Sequence, residues 1–97
     1  MPAHFIVSVN VESDSDRESY DRYIDLVRPI VERHGGRYLV RSEKIAHLGG
    51  RWRPDRVIVI EFPTTEHIRT CFSSPEYREI EKLRSDSVDS SGIIVQG

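Results

Sequence analysis

The stretch from Arg56 to Phe62 carries apolar side chains on both of its faces, and no other feature constrains the chain as much. Val57 and Val59 alternate with Ile58, Ile60 and Phe62, and a β-strand sends successive side chains to opposite faces of its sheet. A sheet with helices on one side and water on the other should alternate apolar and polar residues. This strand does not, and the closing segment Ile93 to Gln96 repeats the pattern, with Ile93 and Val95 set against Ile94. A chain of 97 residues builds one core, so residues 1–97 read as a single domain whose own helices cover one face. The predicted cover for the other face is a second copy of the chain, packed sheet to sheet.

The remaining elements can be placed around that strand. From residue 3 to 12, Phe5, Val7, Val9 and Val11 alternate with His4, Ile6, Ser8 and Asn10, the period of a strand. Ser13-Asp14-Ser15-Asp16 breaks it, and Ser15 with Glu18 has the spacing of a capping box. Tyr20, Ile24, Val27 and Val31 then form one helical stripe, with Tyr23 and Ile30 beside it. Pro29 predicts a kink near Asp25, and His34-Gly35-Gly36 ends the helix. A second strand is expected from Arg37 to Ala46, joined through a loop at Gly49–Pro54 to the Arg56–Phe62 strand, with Arg41 and Glu61 lying opposite each other. Thr64 or Thr65 caps a further helical region, which Ser74-Pro75-Glu76 restarts. Its inner stripe holds Tyr77, Ile80 and Leu83, with Arg84 as a marginal member. Ser90-Ser91-Gly92 reads as a break before the last strand. The order β, α, β, β, α, β is the α+β, ferredoxin-like arrangement: an antiparallel sheet with two helices on one face. Two such sheets face to face make a dimeric α+β barrel.

If Phe5, Val7, Val9, Val11, Ile58, Ile60 and Phe62 lie under the helices, the other face holds Ile6, Leu39, Val57 and Val59. It also holds His4, Ser8, Asn10, Arg41, Glu61 and Gln96, and an apolar surface with a few convergent polar groups is the pattern of a small-molecule pocket. Glu61 ends a run of aliphatics, where a carboxylate must be paired or held neutral. With Arg41 as its partner it reads two ways. It is either a general acid/base or substrate anchor, or half of a structural ion pair that fixes hairpin register or dimer geometry. Tyr23 and Tyr77 read as core aromatics and as candidate ligand contacts. Trp52, in a loop rich in Gly and Arg, either closes the barrel end or stacks on a ligand. The candidate site is therefore Glu61 as the catalytic group, with Arg41, His4, Asn10, Tyr23, Trp52 and Tyr77 as ligand contacts.

Several classes of function are disfavoured. Fourteen basic against sixteen acidic residues, a formal charge of -2, give no basic field for nucleic acid or an anionic membrane. Twelve of the basic residues are Arg, against Lys44 and Lys82 only, and Arg offers the planar fork that holds carboxylates. The lone Cys71 excludes an internal disulfide and fits a small buried filler in a reducing compartment. His4, His34, His47 and His67 show no metal-ligand spacing, no glycine-rich phosphate loop is present, and no cofactor is expected. The longest aliphatic run, Val57 to Ile60, cannot span a membrane, and the amino terminus carries no export pattern, so the expected location is the cytoplasm.

Taken together, Tyr20 and Tyr23, Pro29, Gly35-Gly36-Arg37-Tyr38-Leu39-Val40-Arg41, Trp52 with Pro54 and Arg56, Ile60-Glu61-Phe62-Pro63 and Ser74-Pro75-Glu76-Tyr77 resemble the family catalogued as domain of unknown function 1330. The resemblance spans nearly the whole chain. It implies a dimeric α+β barrel, a fold shared with small monooxygenase-like and isomerase-like proteins, and no established activity. Two positions depart from it: Ser42-Glu43 stands where relatives carry a glycine pair, and Cys71-Phe72 where they carry Trp-Tyr. The second departure removes a large aromatic, so ligand preference does not carry over. Two functions stay open. One is a cofactor-independent protein that binds or transforms a small organic, acidic molecule in the barrel cavity, with Arg41 as anion anchor and Glu61 as acid/base. The other is a non-catalytic module that presents a surface to a protein partner.

Overall fold

Backbone pairing organises the chain around its first strand. The computed structural model describes residues 2–97 and holds four strands, β1 (Ala3–Asn10), β2 (Arg37–Ser42), β3 (Arg56–Phe62) and β4 (Asp89–Gln96). They lie in the order β2-β3-β1-β4, every neighbouring pair antiparallel. Between them run α1 (Asp14–Arg33), α2 (Thr65–Ser73) and α3 (Pro75–Ser85). This is the ferredoxin-like arrangement, its second helical region split in two at Ser74.

Local chemistry explains where the helices begin and end. The cap of α1 is Ser13, two residues before the expected Ser15: its extended backbone and its Oγ, which accepts from Asp16 N at 3.2 Å, close the first turn. Asp14 and Asp16 then sit against the positive end of the helix dipole. The helix runs through Pro29 to Arg33. It stops in a paired-bond turn, with Gly36 N on Val31 O and Gly35 N on Glu32 O. Gly35 has φ 86°, which favours glycine, and a Cβ on Gly36 would stand 2.4 Å from Val31 Cγ1 and 2.9 Å from the Phe62 ring. Thr64 caps α2, and Ser74 serves as both last cap of α2 and first cap of α3, with Pro75 in the first turn.

The strand register confirms most of the expected faces and, together with the strand limits, corrects three readings. Opposed residues in antiparallel strands share a face. Phe5↔Ile60, Val7↔Ile58 and Ala3↔Phe62 therefore lie together under the helices, and His4↔Glu61, Ile6↔Val59 and Ser8↔Val57 lie together on the open side. The first correction concerns the hairpin. Arg41 pairs with Ile58 and Arg37 with Glu61, so the expected opposition of Arg41 and Glu61 does not form. The hairpin is set in a different register from the expected one, and a bulge between Tyr38 and Val40 leaves Leu39 without a partner and reverses the facing of Val40, Arg41 and Ser42. Arg41 thereby falls on the covered side, its guanidinium 5.5 Å over the Tyr38 ring.

The second strand also ends early, at Ser42, whose Oγ accepts from Lys44 N. The rest of that connection is tied down by Asn10 Nδ2 donating to Arg53 O and Val11 N to Asp55 Oδ2, both at 2.9 Å. The third correction is β4. Ser90, Ser91 and Gly92 do not break the chain but pair with Val9, Ser8 and Val7, and Gln96, opposite Ala3, falls on the covered side and donates to Thr65 Oγ1.

The covered side is the core. Val9, Val31, Phe62, Ile68 and Cys71 are wholly buried there, each apolar side chain contributing roughly 1.5–3 kcal/mol. The open side stays in contact with solvent: Val40, Ile93 and Val95 are 42% exposed or more. Among the described residues, no helix is long and apolar enough to cross a membrane.

Candidate functional site

The packing of helices on sheet leaves a cavity of about 400 Å³ inside the subunit, within the range of small-molecule sites. Its floor is the covered face of the sheet, including Val7, Ile58, Ile60 and Ile94. Its roof comes from Tyr20, Tyr23, Ile24 and Val27 of α1, and Phe72, Tyr77 and Arg84 close its far wall. The alternation of β1 and β3 supplies the floor and the stripe of α1 the roof, so this space lies where two apolar patterns meet without filling the gap between them.

Polar groups gather at one end. Tyr23 and Tyr77 bring their hydroxyls to 3.0 Å of each other, joining α1 to α3 across the core. The Arg84 guanidinium donates from Nε to Tyr77 Oη at 3.2 Å and from Nη1 to Ser90 Oγ at 2.7 Å, tying α3 to the edge strand β4. Among the described residues, no carboxylate lies within 4.0 Å of Arg84. Burial, the neighbouring Tyr77 and the hydrogen bond to it push the Tyr23 phenol far above its ordinary pKa. Burial also pushes Tyr20 up to about 12. These phenols stay protonated and act as donors and acceptors of hydrogen bonds.

The candidates named from sequence fall in three places. Tyr23 and Tyr77 line the cavity and touch each other. His4 and Glu61 lie on the open side of the sheet, His4 Nε2 3.6 Å from Glu61 Oε2, with Arg37 Nη2 3.3 Å from Glu61 Oε1. Arg41, Asn10 and Trp52 sit apart from both groups: Arg41 on the ring of Tyr38, Asn10 bonded to the β2–β3 connection, and Trp52 66% exposed within it. Arg84, which sequence left at the margin of a stripe, is the charged group at the polar end of the cavity. Its signal was an arginine seven residues after Tyr77, on the helix face that also carries Ile80 and Glu81. Cys71 is buried, and burial raises its thiol to about 11, so it is a filler and no nucleophile at neutral pH. Among the described residues, no cluster of three or more His, Cys, Asp or Glu could hold a metal ion.

Comparison with known proteins agrees with this architecture. The family model of a domain of unknown function, DUF1330, matches residues 2–97. No curated protein matches the sequence. A protein of unknown function from Rhodopseudomonas palustris superposes with a TM-score of 0.83 at 25% identity, covering 99% of this chain and 82% of that one. A dimeric ferredoxin-like protein of unknown function from Jannaschia sp. CCS1 gives 0.77 at 8% identity over 100% of both chains. The cofactor-independent oxygenase SnoaB from Streptomyces nogalater gives 0.70 at 11% identity, covering 99% of this chain and 92% of that one.

Proposed function

The chain belongs to the domain of unknown function family DUF1330, and from that premise we propose that it binds a small organic, acidic molecule in the cavity between its sheet and helices, as a homodimer. One observation carries the reading: an intrasubunit cavity of about 400 Å³, mostly apolar, with two phenols and an arginine brought together in its lining. Apolar walls supply affinity by burying the ligand's surface, and a few fixed polar groups supply orientation. The site is Tyr23 and Tyr77 with Arg84. Glu61 keeps the structural one of its two sequence readings, with Arg37 and His4 in place of Arg41 as its partners. Transformation of the ligand without a cofactor is compatible with this scaffold, since SnoaB has the same fold. At 11% identity that likeness concerns the fold alone, and no reaction is transferred.

The dimer rests on the open face. Ile6, Val57, Val59, Ile93 and Val95 form an apolar surface on the side of the sheet away from the helices, and the Jannaschia neighbour is described as dimeric. Covering such a surface with a second copy removes it from water at roughly 25 cal/mol per Å². A second reading, a non-catalytic module presenting a surface to a protein partner, is favoured by Leu48 and Trp52, which the β2–β3 connection holds out in solvent.

Thermal unfolding with a panel of compact aromatic and aliphatic acids tests the first reading, using Val7→Phe to fill the cavity from its floor. At least one acid is expected to raise the melting temperature of the unmutated chain and to leave that of Val7→Phe unchanged. If no acid shifts the unmutated chain, or if the filled variant responds equally, the interaction-module reading takes over.

A further inference from the structure

We infer that Arg84 is the anchor of this cavity, and that it selects a ligand with an apolar body and a terminal oxyanion: a carboxylate, enolate or phenolate. The inference rests on the cavity reading and narrows it to a chemical class. Arg84 is half-buried on α3, and both groups that accept its hydrogen bonds, Tyr77 Oη and Ser90 Oγ, are neutral. Glu81, one turn earlier on the same helix and also on the cavity wall, acts on it only through space. Elsewhere the arginines in contact with acids are surface groups, Arg17 with Glu43, Arg28 with Glu32, Arg33 with Glu76 and Arg37 with Glu61, except for Arg56, which is largely buried and has Glu43 at 3.8 Å. Arg84 thus lines a largely apolar space with neutral acceptors and no carboxylate in contact, and an incoming anion can take its remaining N–H groups with less screening by water than at a surface pair.

The count of protons leads to the same class. Tyr23 and Tyr77 each own one hydroxyl proton, and a single hydrogen bond joins them. Arg84 already donates into Tyr77 Oη, so that oxygen needs no second donor. Whichever phenol donates to the other, one phenolic O–H is left without an acceptor among these groups, beside the remaining N–H groups of Arg84. The polar end is thus rich in donors and short of acceptors. An acceptor-only oxyanion can take both a guanidinium N–H and a phenolic O–H, on separate oxygens in a carboxylate or on the lone pairs of one oxygen in an enolate or phenolate. A primary amide or an alcohol brings its own protons into a place already crowded with them. The apolar walls, Val7, Val27, Ile58, Phe72 and Ile94 among them, then meet the hydrocarbon part.

Calorimetric titration of the full chain with naphthalene-2-carboxylate and with its uncharged twin, naphthalene-2-carboxamide, separates the two claims. On the unmutated chain the acid is expected to bind roughly tenfold or more tightly than the amide. Arg84→Met, which keeps the stem and removes the charge, is expected to weaken the acid on the order of ten- to a hundredfold while leaving the amide nearly unchanged, and Arg84→Lys to recover part of the loss. Full acid binding by Arg84→Met overturns the anchoring role of Arg84 and leaves the proposed function standing, and equal binding of acid and amide overturns the oxyanion inference together with the acidity of the proposed ligand, leaving only the occupied cavity. Binding of neither probe overturns both. The acid-to-amide ratio needs no variant, so a substitution that fails to fold does not shelter the inference.

Discussion

The two faces of the sheet are built from the same residue types and end in different surroundings. Under the helices, Ile58, Ile60 and Phe62 retain at most 4% of their surface. On the other side, Val57 and Val59 are only half-buried, and Ile93 is 58% exposed. The polar groups divide in the same way. On the covered side two hydroxyls and a guanidinium close on one another around a cavity. On the open side Glu61 is held between His4 and Arg37, a third of its side chain still in solvent. Aliphatic content alone therefore does not say whether a face becomes a core, a pocket or a contact surface. The polar residues embedded in each face, and what they meet, make that distinction.

The harshest way to break this comparison is to place one charge on each face of the same strand. Ile60→Asp puts an unpaired carboxylate among wholly apolar neighbours, at a cost of several kcal/mol, against a total stability of about 5–15 kcal/mol for a domain. It is expected to abolish the cooperative thermal transition. Val59→Asp, one residue away, points outward. It is expected to keep the transition and to yield monomers in sedimentation velocity at micromolar concentration. A Val59→Asp chain that sediments as a dimer would show that this face is not where copies meet.

A milder test uses alkali, because the phenols and the thiol that burial raises all belong to the covered side. Burial lifts Cys71 from 9.0 to about 11, and Tyr20 and Tyr38 from 10.0 to about 12. In each case the folded chain holds its proton to higher pH than the unfolded one. The stability this represents is intact below the unfolded values and is lost as pH rises through the folded ones. Urea unfolding should thus give a flat stability up to about pH 9 and a steady fall from there towards about pH 12. Tyr20→Phe should make that fall shallower, and an outward change such as Val59→Thr should not alter its slope. Stability that stayed level to about pH 11 would mean these groups are open to water.

How far such behaviour could be foreseen depends on the distance over which a pattern acts. The strands β1 and β3 and the stripe of α1 were legible because alternation and helical spacing are local, and one face of each is buried. The bulge at Leu39 was not. No residue there announces it, yet one extra residue reverses every later position of the strand, which moved Arg41 to the covered side, while the register of the hairpin itself set Arg37 opposite Glu61. Ser90-Ser91-Gly92 misled for a related reason: turn-forming residues were overruled by pairing with β1. The contact between Tyr23 and Tyr77 joins residues on separate helices, and no spacing rule reaches that far. Arg84 was visible as an anomaly in an apolar stripe. Its meaning came only with the tyrosines it touches.

The smallest expected effect sharpens the open side alone. Arg37 is 73% exposed at its side chain and 3.3 Å from Glu61, and such a surface pair contributes at most about 1 kcal/mol. Arg37→Ala should therefore shift the unfolding free energy of the subunit by no more than about 1 kcal/mol. Dimer assembly answers differently if a second sheet covers this face, because Glu61 would then leave water with only His4 beside it. Removing one partner of a desolvated pair costs more than the pair contributes in solvent. Dilution series of Arg37→Ala should show the dimer dissociating at severalfold higher concentration than the unmutated chain, with high salt narrowing the gap. An unchanged dissociation midpoint would place Glu61 outside the contact, at the rim of the sheet where water still reaches it.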